Sequence, residues 1–489
     1  MVRSGGGPFF SRDGASRSGS LANWIPARFF DQNHESRERE TIIARSINLV
    51  NDDPHADGII NSFATTITGA GLQPKPTLSY KRLGITKKEA REIERVQREI
   101  YKDYSKTADI GLRMTDGEIQ HLKTRCLFGF GESLEVIRMK KHPMREYSLT
   151  SQVINPLRLK TPTDLMRDPT IRQGIKFSPE DEPIGYFIKN TGYGGMYLSD
   201  MSANFTYIPA RRAHRWVVLH DYITKDPEQT RGYPLLAPSM RFFRDFADLM
   251  GSELIGSVIA SMISIFVETE ADPNQIANEF RRTDNESPHD LNRRVQEVDP
   301  GQIWYGNTGE KPHLLSSDRP GTNFGPFTKL IKKGISMSTG VPYPVLFKDV
   351  DGVSFAGFRS AMLEAWRVYT YHRTRIAQKD PQRKYAMLME EAYLRDKLPI
   401  SGDFYTDMGG YTTAEWFGAP KGDIEPYKQI QADIMKLKAN VTTKERVILE
   451  HGGVGVYEVL EQRAEEVRAE ANLMPKPESQ PVAEGAKNG

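Results

Sequence analysis

At 489 residues, with 38% hydrophobic and 27% charged residues, the chain is too long for one ordinary domain and apolar enough to build several cores. Lys and Arg number 66 against 64 Asp and Glu, a net charge of +2, which excludes a uniformly basic nucleic-acid coat but not a local basic surface. The one cysteine, Cys126, excludes a disulfide framework or a cysteine-based zinc site within one chain and fits a reducing cytosol.

Residues 1–22 are rich in Gly, Ser and Arg and predict a disordered arm; they carry no apolar run of the kind a secretory signal needs. A helix is expected from Glu35 to Val50. Asp52-Asp-Pro54 breaks it and starts a second, which runs through Ala64 with proline at an early position. Gly69-Ala-Gly71, Pro74 and Pro76 end that helix. Thr86-Lys-Lys-Glu89 has the spacing of a capping box and opens a charged helix to about Tyr104. From Leu122 to Trp216 the texture is that of strands, with examples at 133–138, 147–154, 174–177 and 185–188, separated by turn residues such as Gly129, Gly131, Asn155-Pro156 and Gly192-Tyr-Gly-Gly195. Arg231-Gly-Tyr-Pro234 closes this region.

Residues 236–269 keep helical spacing, and Gly251, Gly256 and Ala260 leave room for another helix to approach closely. Their uncharged part, 254–267, is too short to cross a bilayer, so no membrane partner is expected. Residues 270–320 form a polar insert with an expected short helix at 273–282 and strands around 296–298 and 302–305. A short basic helix then stops at Gly340-Val-Pro-Tyr-Pro344, a loop follows, and a long amphipathic helix restarts near Ser354. Helices dominate to Lys397, and 416–426 reads as a Gly/Pro linker. Two more helices, 426–439 and 457–471, flank Thr442-Thr-Lys-Glu445, and the tail from Pro475 has a disordered composition.

Motifs for chemistry are missing from the sequence. There is no G-x-x-x-x-G-K-[ST], no H-E-x-x-H and no G-x-S-x-G. Gly129-Phe-Gly131 and Gly192-Tyr-Gly194 lack the strand–glycine–helix setting of a dinucleotide site. Asp349-Val-Asp351-Gly352 is a fragment of a calcium loop without the third acid or the closing glutamate. His214 and His220, near Trp216, have no carboxylate pair at ligand spacing and read as structural. No metal and no cofactor are expected. A hydrolase or nuclease with carboxylates gathered by the fold stays open as the alternative. The basic residues say more. Lys329, Lys332 and Lys333 lie at i, i+3 and i+4 on one helix face, opposite an apolar side of Leu330, Ile331 and Ile335, and Lys348 follows in the loop. Such a face is ordinarily just solvated; contact with a phosphate backbone is the functional reading.

Several blocks, in order across about residues 40–470, resemble the lambda-type family of bacteriophage portal proteins. They are Ala44-Arg-Ser-Ile-Asn-Leu-Val-Asn-Asp-Asp-Pro-His-Ala-Asp-Gly-Ile59 with Thr68-Gly-Ala-Gly-Leu72; then Ser151-Gln-Val-Ile-Asn-Pro-Leu-Arg-Leu159, Arg172-Gln-Gly-Ile175, Ile208-Pro-Ala-Arg-Arg212 and Gln229-Thr-Arg-Gly-Tyr-Pro234; then Gly340-Val-Pro342 with Ser354-Phe-Ala-Gly-Phe-Arg-Ser-Ala361; and last Asp423-Ile-Glu-Pro-Tyr-Lys428 with Thr442-Thr-Lys-Glu445. Phe355 stands where the family pattern leads one to expect tyrosine or serine.

The resemblance implies a structural protein with no enzymatic activity. Its fold would be α+β, with a mixed β/helical wing, a helical stem, a small α/β clip and a helical crown. Laid on this sequence, a flexible arm covers 1–39 and the wing 40–237 and 358–423. The stem helices are 238–268 and 321–340, the clip 269–320, the tunnel loop 341–357, the crown 424–472 and a disordered tail 473–489. The implied assembly is a ring, usually a dodecamer, at one capsid vertex of the virion, built in the cytoplasm of the bacterial host. Its partners would be double-stranded DNA without sequence specificity, the terminase large subunit, a head–tail adaptor, the major capsid protein and the scaffold. On this map Lys329, Lys332, Lys333 and Lys348 face the DNA tunnel. Val341, Pro342, Pro344, Asp349, Asp351 and Gly352 belong to the tunnel loop. Arg293, Arg294, Trp304 and Tyr305 are the clip's docking residues, and Gly251, Gly256 and Ala260 pack the stem.

Overall fold

The computed structural model describes residues 32–191, 199–262, 265–267, 303–305, 321, 323–422, 425–452 and 455–473. Helix α1 (Gln32–Asp52) leads directly into α2 (Pro54–Ile67). Asp53 separates them: its carboxylate accepts from the His55 and Ala56 amides at 2.8 and 3.0 Å, and Pro54 takes the first helical position, where no amide hydrogen is needed. Strand β1 (Gln73–Pro76) follows, then α3 (Lys87–Ser105), opened by the expected capping box: Glu89 N donates to Thr86 Oγ1 and Thr86 N to the Glu89 carboxylate.

The expected strand texture from Leu122 is corrected at its start. Residues 116–129 are a helix, α4 (Asp116–Gly129), begun by a second capping box in which Thr115 N donates to Glu118 at 2.7 Å. Lys123, Thr124, Cys126, Leu127 and Phe128 are all buried, so the helix is covered on most sides and shows no clean apolar period.

The strands come next: β2 (Glu132–Met139), β3 (Leu149–Ile154), β4 (Ile171–Arg172), β5 (Ile175–Phe177), β6 (Pro183–Lys189), β7 (Phe205–Pro209), β8 (Arg211–Arg212), β9 (Arg215–Trp216) and β10 (Val218–Tyr222). They form an antiparallel sheet ordered β10-β2-β3, a four-stranded antiparallel sheet ordered β4-β5-β6-β7, and the β8–β9 hairpin. The turn at 192–195 lies outside the described residues. Close glycine contact joins this region to the Arg231-Gly-Tyr-Pro234 segment. A Cβ on Gly232 would sit 1.9 Å from the Gly131 carbonyl oxygen, and Gly131 itself has φ +90° against the Tyr233 backbone.

Helix α5 (Met240–Met262) is shorter than the helix expected over 236–269. Ile265–Val267 leaves it as strand β11, pairing in parallel with β12 (Ile303–Tyr305). A β-branched and aromatic run fits a pleated surface once a partner strand is available. The expected elements at 273–282 and 296–298 lie outside the described residues. Then follow α6 (Phe324–Thr339), α7 (Phe355–Ala377), α8 (Asp380–Leu394), β13 (Ala414–Phe417), α9 (Pro426–Lys438), α10 (Lys444–Glu450) and α11 (Val456–Leu473). The start of the expected 416–426 linker is thus strand, since β13 pairs antiparallel with β1 across more than 330 residues, Gln73 opposite Phe417.

Three apolar clusters hold these elements. One joins α3, α4, β3 and α8 through residues such as Ile93, Tyr101, Ile119, Leu149, Tyr385 and Leu388. A second joins α2, α4, α5, α6 and α7 through Ile60, Phe63, Phe128, Phe243, Ile335 and Tyr369. The third lies between the two larger sheets. Buried charge fills the space between elements. Lys384 donates to Asp116 and, at 3.2 Å, to Glu135, while Lys123 reaches both Glu135 and Asp380. Arg231, 1% exposed, grips Glu132, 0% exposed, and also donates to three backbone carbonyls. The C-terminal helices meet the rest of the chain through polar contacts, among them Lys75–Glu445 at 2.9 Å, Arg359–Glu425 at 3.0 Å and Arg91 stacked over Tyr457.

Candidate nucleic-acid interface

The basic helix, its loop and α7 form one unit resting on the second apolar cluster. Helix α6 stops where the sequence says it should: Gly340 takes the left-handed conformation, φ 73°, and its amide donates to the Met337 carbonyl. Ser336 Oγ then donates to the Val341 carbonyl. Val341 and Leu346 are buried against Ile335, Ala365 and Tyr369. Between them a single turn of helix, Tyr343–Leu346, has Pro342 before it and Pro344 inside its first turn. Val341, Pro342 and Pro344 therefore anchor the loop. Its exposed part is Lys348, Val350, Asp351 and Gly352, before Ser354 caps α7 by accepting from the Gly357 amide at 3.2 Å. Gly352 has φ 70° with no atom within 4 Å of where a Cβ would stand, so backbone geometry, not crowding, calls for glycine.

The four lysines grouped by spacing have different surroundings. Lys329 Nζ lies 3.8 Å from Asp349 and 3.9 Å from Asp351. Lys332 Nζ sits over the rings of Phe246 and Phe347, at 5.3 and 5.8 Å from their centroids. Both are occupied in tying the loop to α6 and α5. Lys333 and Lys348 are exposed and make no ion pair among the described residues. Asp349 also accepts from the Tyr343 hydroxyl and, at 3.1 Å, from the Asp351 amide. Those hydrogen bonds, the tyrosine's first, hold its carboxyl below the ordinary range. Burial and then the bond to Asp349 push the Tyr343 hydroxyl up to about 12.

The expected apolar side of α6 is corrected at one residue. Ile331 and Ile335 are buried, but Leu330 is 64% exposed. It forms an outward stripe with Phe327 and Met337, which are 52% and 82% exposed. Met250, Leu254, Ile255 and Val258 do the same on α5. On the inner side Gly334 lets α6 approach, since a Cβ there would meet the Phe242 ring at 3.4 Å. Gly251 faces open space and is not required by packing within the chain. Gly256 is half-buried; the side chain of Ala260 lies outside the described residues. The outward stripes were missed in the sequence, although the spacing of Phe327, Leu330 and Met337 by three and seven residues carries the signal. Arg293 and Arg294 lie outside the described residues; Trp304 and Tyr305 are placed only as backbone in β12.

The two histidines are structural. His214 Nε2 is 2.8 Å from Glu390, which also accepts from Arg215 and Tyr405; His220 Nε2 is 3.0 Å from Glu132. These carboxylates are engaged by cations and hydroxyls.

The sequence profile described as phage portal protein, lambda family, matches residues 17–373. The chain belongs to the lambda family of phage portal proteins. Its relatives include the portal protein of Escherichia phage N15, 21% identical over 434 residues, covering 84% of this chain and 80% of that one. Portal protein B of Escherichia phage lambda is 22% identical over 463 residues, covering 88% and 84%. A likeness in shape, TM-score 0.44 at 13% identity over 84% of this chain and 94% of the other, is to a chain in the neck of an empty gene transfer agent particle. As a family member the chain is a structural protein of the virion and a conduit for DNA at the capsid vertex, and the hydrolase alternative falls.

Proposed function

We propose that twelve copies of this chain close into a ring whose tunnel is faced by α6 and the tip of the loop between Phe347 and Ser354. The apolar stripes on α5 and α6 support this: a patch of that kind marks contact with another chain, and a heterologous contact repeated around an axis closes a ring. Lys333 and Lys348 are the residues offered to DNA, because their charges have no ion-pair partner among the described residues while those of Lys329 and Lys332 are engaged. This difference within one lysine group carries the reading. Lysine meets phosphate as a point charge and reads no base, so DNA slides past without stalling at particular sequences. Residues 269–320 serve as a clip that docks the terminase large subunit and the head–tail adaptor. The wing meets the major capsid protein and scaffold, residues 424–472 form a crown, and assembly takes place in the host cytoplasm.

The test is a pair of double variants. Lys333→Gln/Lys348→Gln should form rings visible in negative stain and yet package or retain DNA less well, equally for all DNA sequences. Its salt dependence of DNA binding should be shallower, by about one unit of log–log slope for each phosphate no longer neutralised by a lysine. Lys329→Gln/Lys332→Gln should instead make the loop more sensitive to protease. A Lys333/Lys348 variant that packages and holds DNA like the parent, or a ring structure with both lysines on its outer surface, would overturn the assignment.

A further inference from the structure

The hairpin between β2 and β3 ends in Arg138-Met-Lys-Lys-His-Pro-Met-Arg-Glu146, four fixed cations and one carboxylate in nine residues. The tip is held rigidly. Arg145, 8% exposed, donates from Nη2 to the Asp109 and Ile110 carbonyls at 2.7 and 2.8 Å and from Nε to the Thr107 carbonyl at 3.3 Å. From α8's end, Arg395 donates to the Glu146 carbonyl and to Ser148 Oγ, and Lys397 pairs with the Glu146 carboxylate, offsetting the one negative charge.

Arg145 also lines an open cavity of about 570 Å³ together with Lys141, His142, Pro143, Glu146, Ser148 and Arg395. Its Nη1 is buried with no hydrogen-bond partner among the described residues, a cationic donor in a nine-tenths buried side chain. Lys140 and Lys141 are exposed and make no ion pair among the described residues. His142 accepts from the Met144 amide through Nδ1 at 3.2 Å, so the neutral ring carries its proton on Nε2 and is one more donor. Lys141, Arg145 and Arg395 stand against Glu146 in the lining, Arg395 being paired with Glu391 at 2.5 Å and Glu146 with Lys397, so the concave surface keeps an excess of positive charge, which suits an oxyanion.

We infer that this hairpin tip is a docking site for an acidic, partly apolar segment of a partner protein, bound through its carboxylates. Two features favour a polypeptide over a nucleic-acid backbone. Met139 and Met144, the latter 71% exposed, flank the cations, and thioethers adapt to apolar side chains but gain nothing from phosphate. Lys141, His142 and Arg145 also line one cavity, whereas a duplex is met by a stripe. The site is separate from α6 and its loop, so it does not depend on the tunnel assignment.

The experiment uses the full chain and two fluorescent probes, a peptide of alternating glutamate and leucine and a short DNA duplex. The variant Lys140→Ala/Lys141→Ala touches only exposed side chains, and its fold is checked by circular dichroism. The parent should bind the peptide, more weakly as salt rises. The variant should lose about tenfold in affinity for it and bind the duplex like the parent. A glutamine–leucine peptide should not bind. The inference is overturned if the parent ignores the acidic peptide, if the variant binds it unchanged, if the glutamine peptide binds equally well, or if the variant's loss falls on the duplex.

Discussion

Replacing Arg231 with methionine should undo the β region, because one side chain satisfies groups from three separate segments, β2, the 156–159 turn and Gln173. Its guanidinium donates to both oxygens of Glu132 on β2, and to the carbonyls of Pro156, Leu159 and Gln173 at 3.2, 2.9 and 2.7 Å. Methionine preserves much of the volume and none of the donors. Burial by itself would raise the Glu132 carboxyl, but the charges of Arg231 and then Arg39 outweigh it and hold it well below the usual carboxylate range. In the variant, Glu132 keeps Arg39 at 3.2 Å and His220 at 3.0 Å. Breaking a buried ion pair from one side costs about 3–5 kcal/mol. Each buried carbonyl left without a donor adds about 1–3 kcal/mol, not additively. A loss of about 5 kcal/mol or more is comparable to the total stability of a domain. The assay is urea unfolding followed by hydrogen exchange of the β2 and β10 amides. With a slope of about 1–3 kcal/mol per molar urea, the midpoint should fall by about 2 M, or the protein should not accumulate in soluble form. Arg231→Lys keeps the charge, loses the planar fork, and should fall between. A methionine variant with a midpoint within about 0.5 M of the parent would refute the reasoning, since the carbonyls and Glu132 would then have found other partners.

Acid should weaken the core around Glu135. Burial would raise its carboxyl, but Lys123 and then Lys384 bring it down to about 2 from an ordinary 4.5, so its contribution, about 3 kcal/mol, is present above pH 4.5 and lost as pH falls through 2. Urea midpoints measured down this range should drop, and a Glu135→Gln variant should start lower and change less. Leu330→Glu/Met337→Glu should leave the monomer's circular dichroism unchanged and suppress the large oligomer in light scattering; rings formed at the parent's concentration would remove the α6 stripe from the subunit contact. Thr115→Ala removes the side-chain half of the α4 cap and should lower stability by about 1 kcal/mol, whereas Thr115→Ser should be nearly silent.

What the sequence alone determined is local. The Thr86 capping box, the Asp53-Pro54 start of α2, the Gly340 stop and the Ser354 start of α7 are each specified by a few adjacent residues whose hydrogen bonds close within one helical turn. The ordered blocks point to the family for a related reason: in the 229–234 block Arg231 and Gly232 meet geometric demands that few residues satisfy. Helix α4 was also written there, in Thr115-Asp-Gly-Glu118, but its nearly complete burial erased the amphipathic period that would have announced it. Only the tertiary structure decided which helix faces are covered and which charges are free. Leu330 and Ile331 are neighbours, equally apolar, and one is exposed while the other is buried, because α5 reaches only one side of α6. Lys329, Lys332 and Lys333 are chemically alike at helical spacing. The return of the loop with Asp349, Asp351 and Phe347, and the approach of Phe246 from α5, occupy the first two and leave the third for solvent. Those partners lie up to 86 residues away along the chain, and no local pattern encodes a contact made only when separate elements pack.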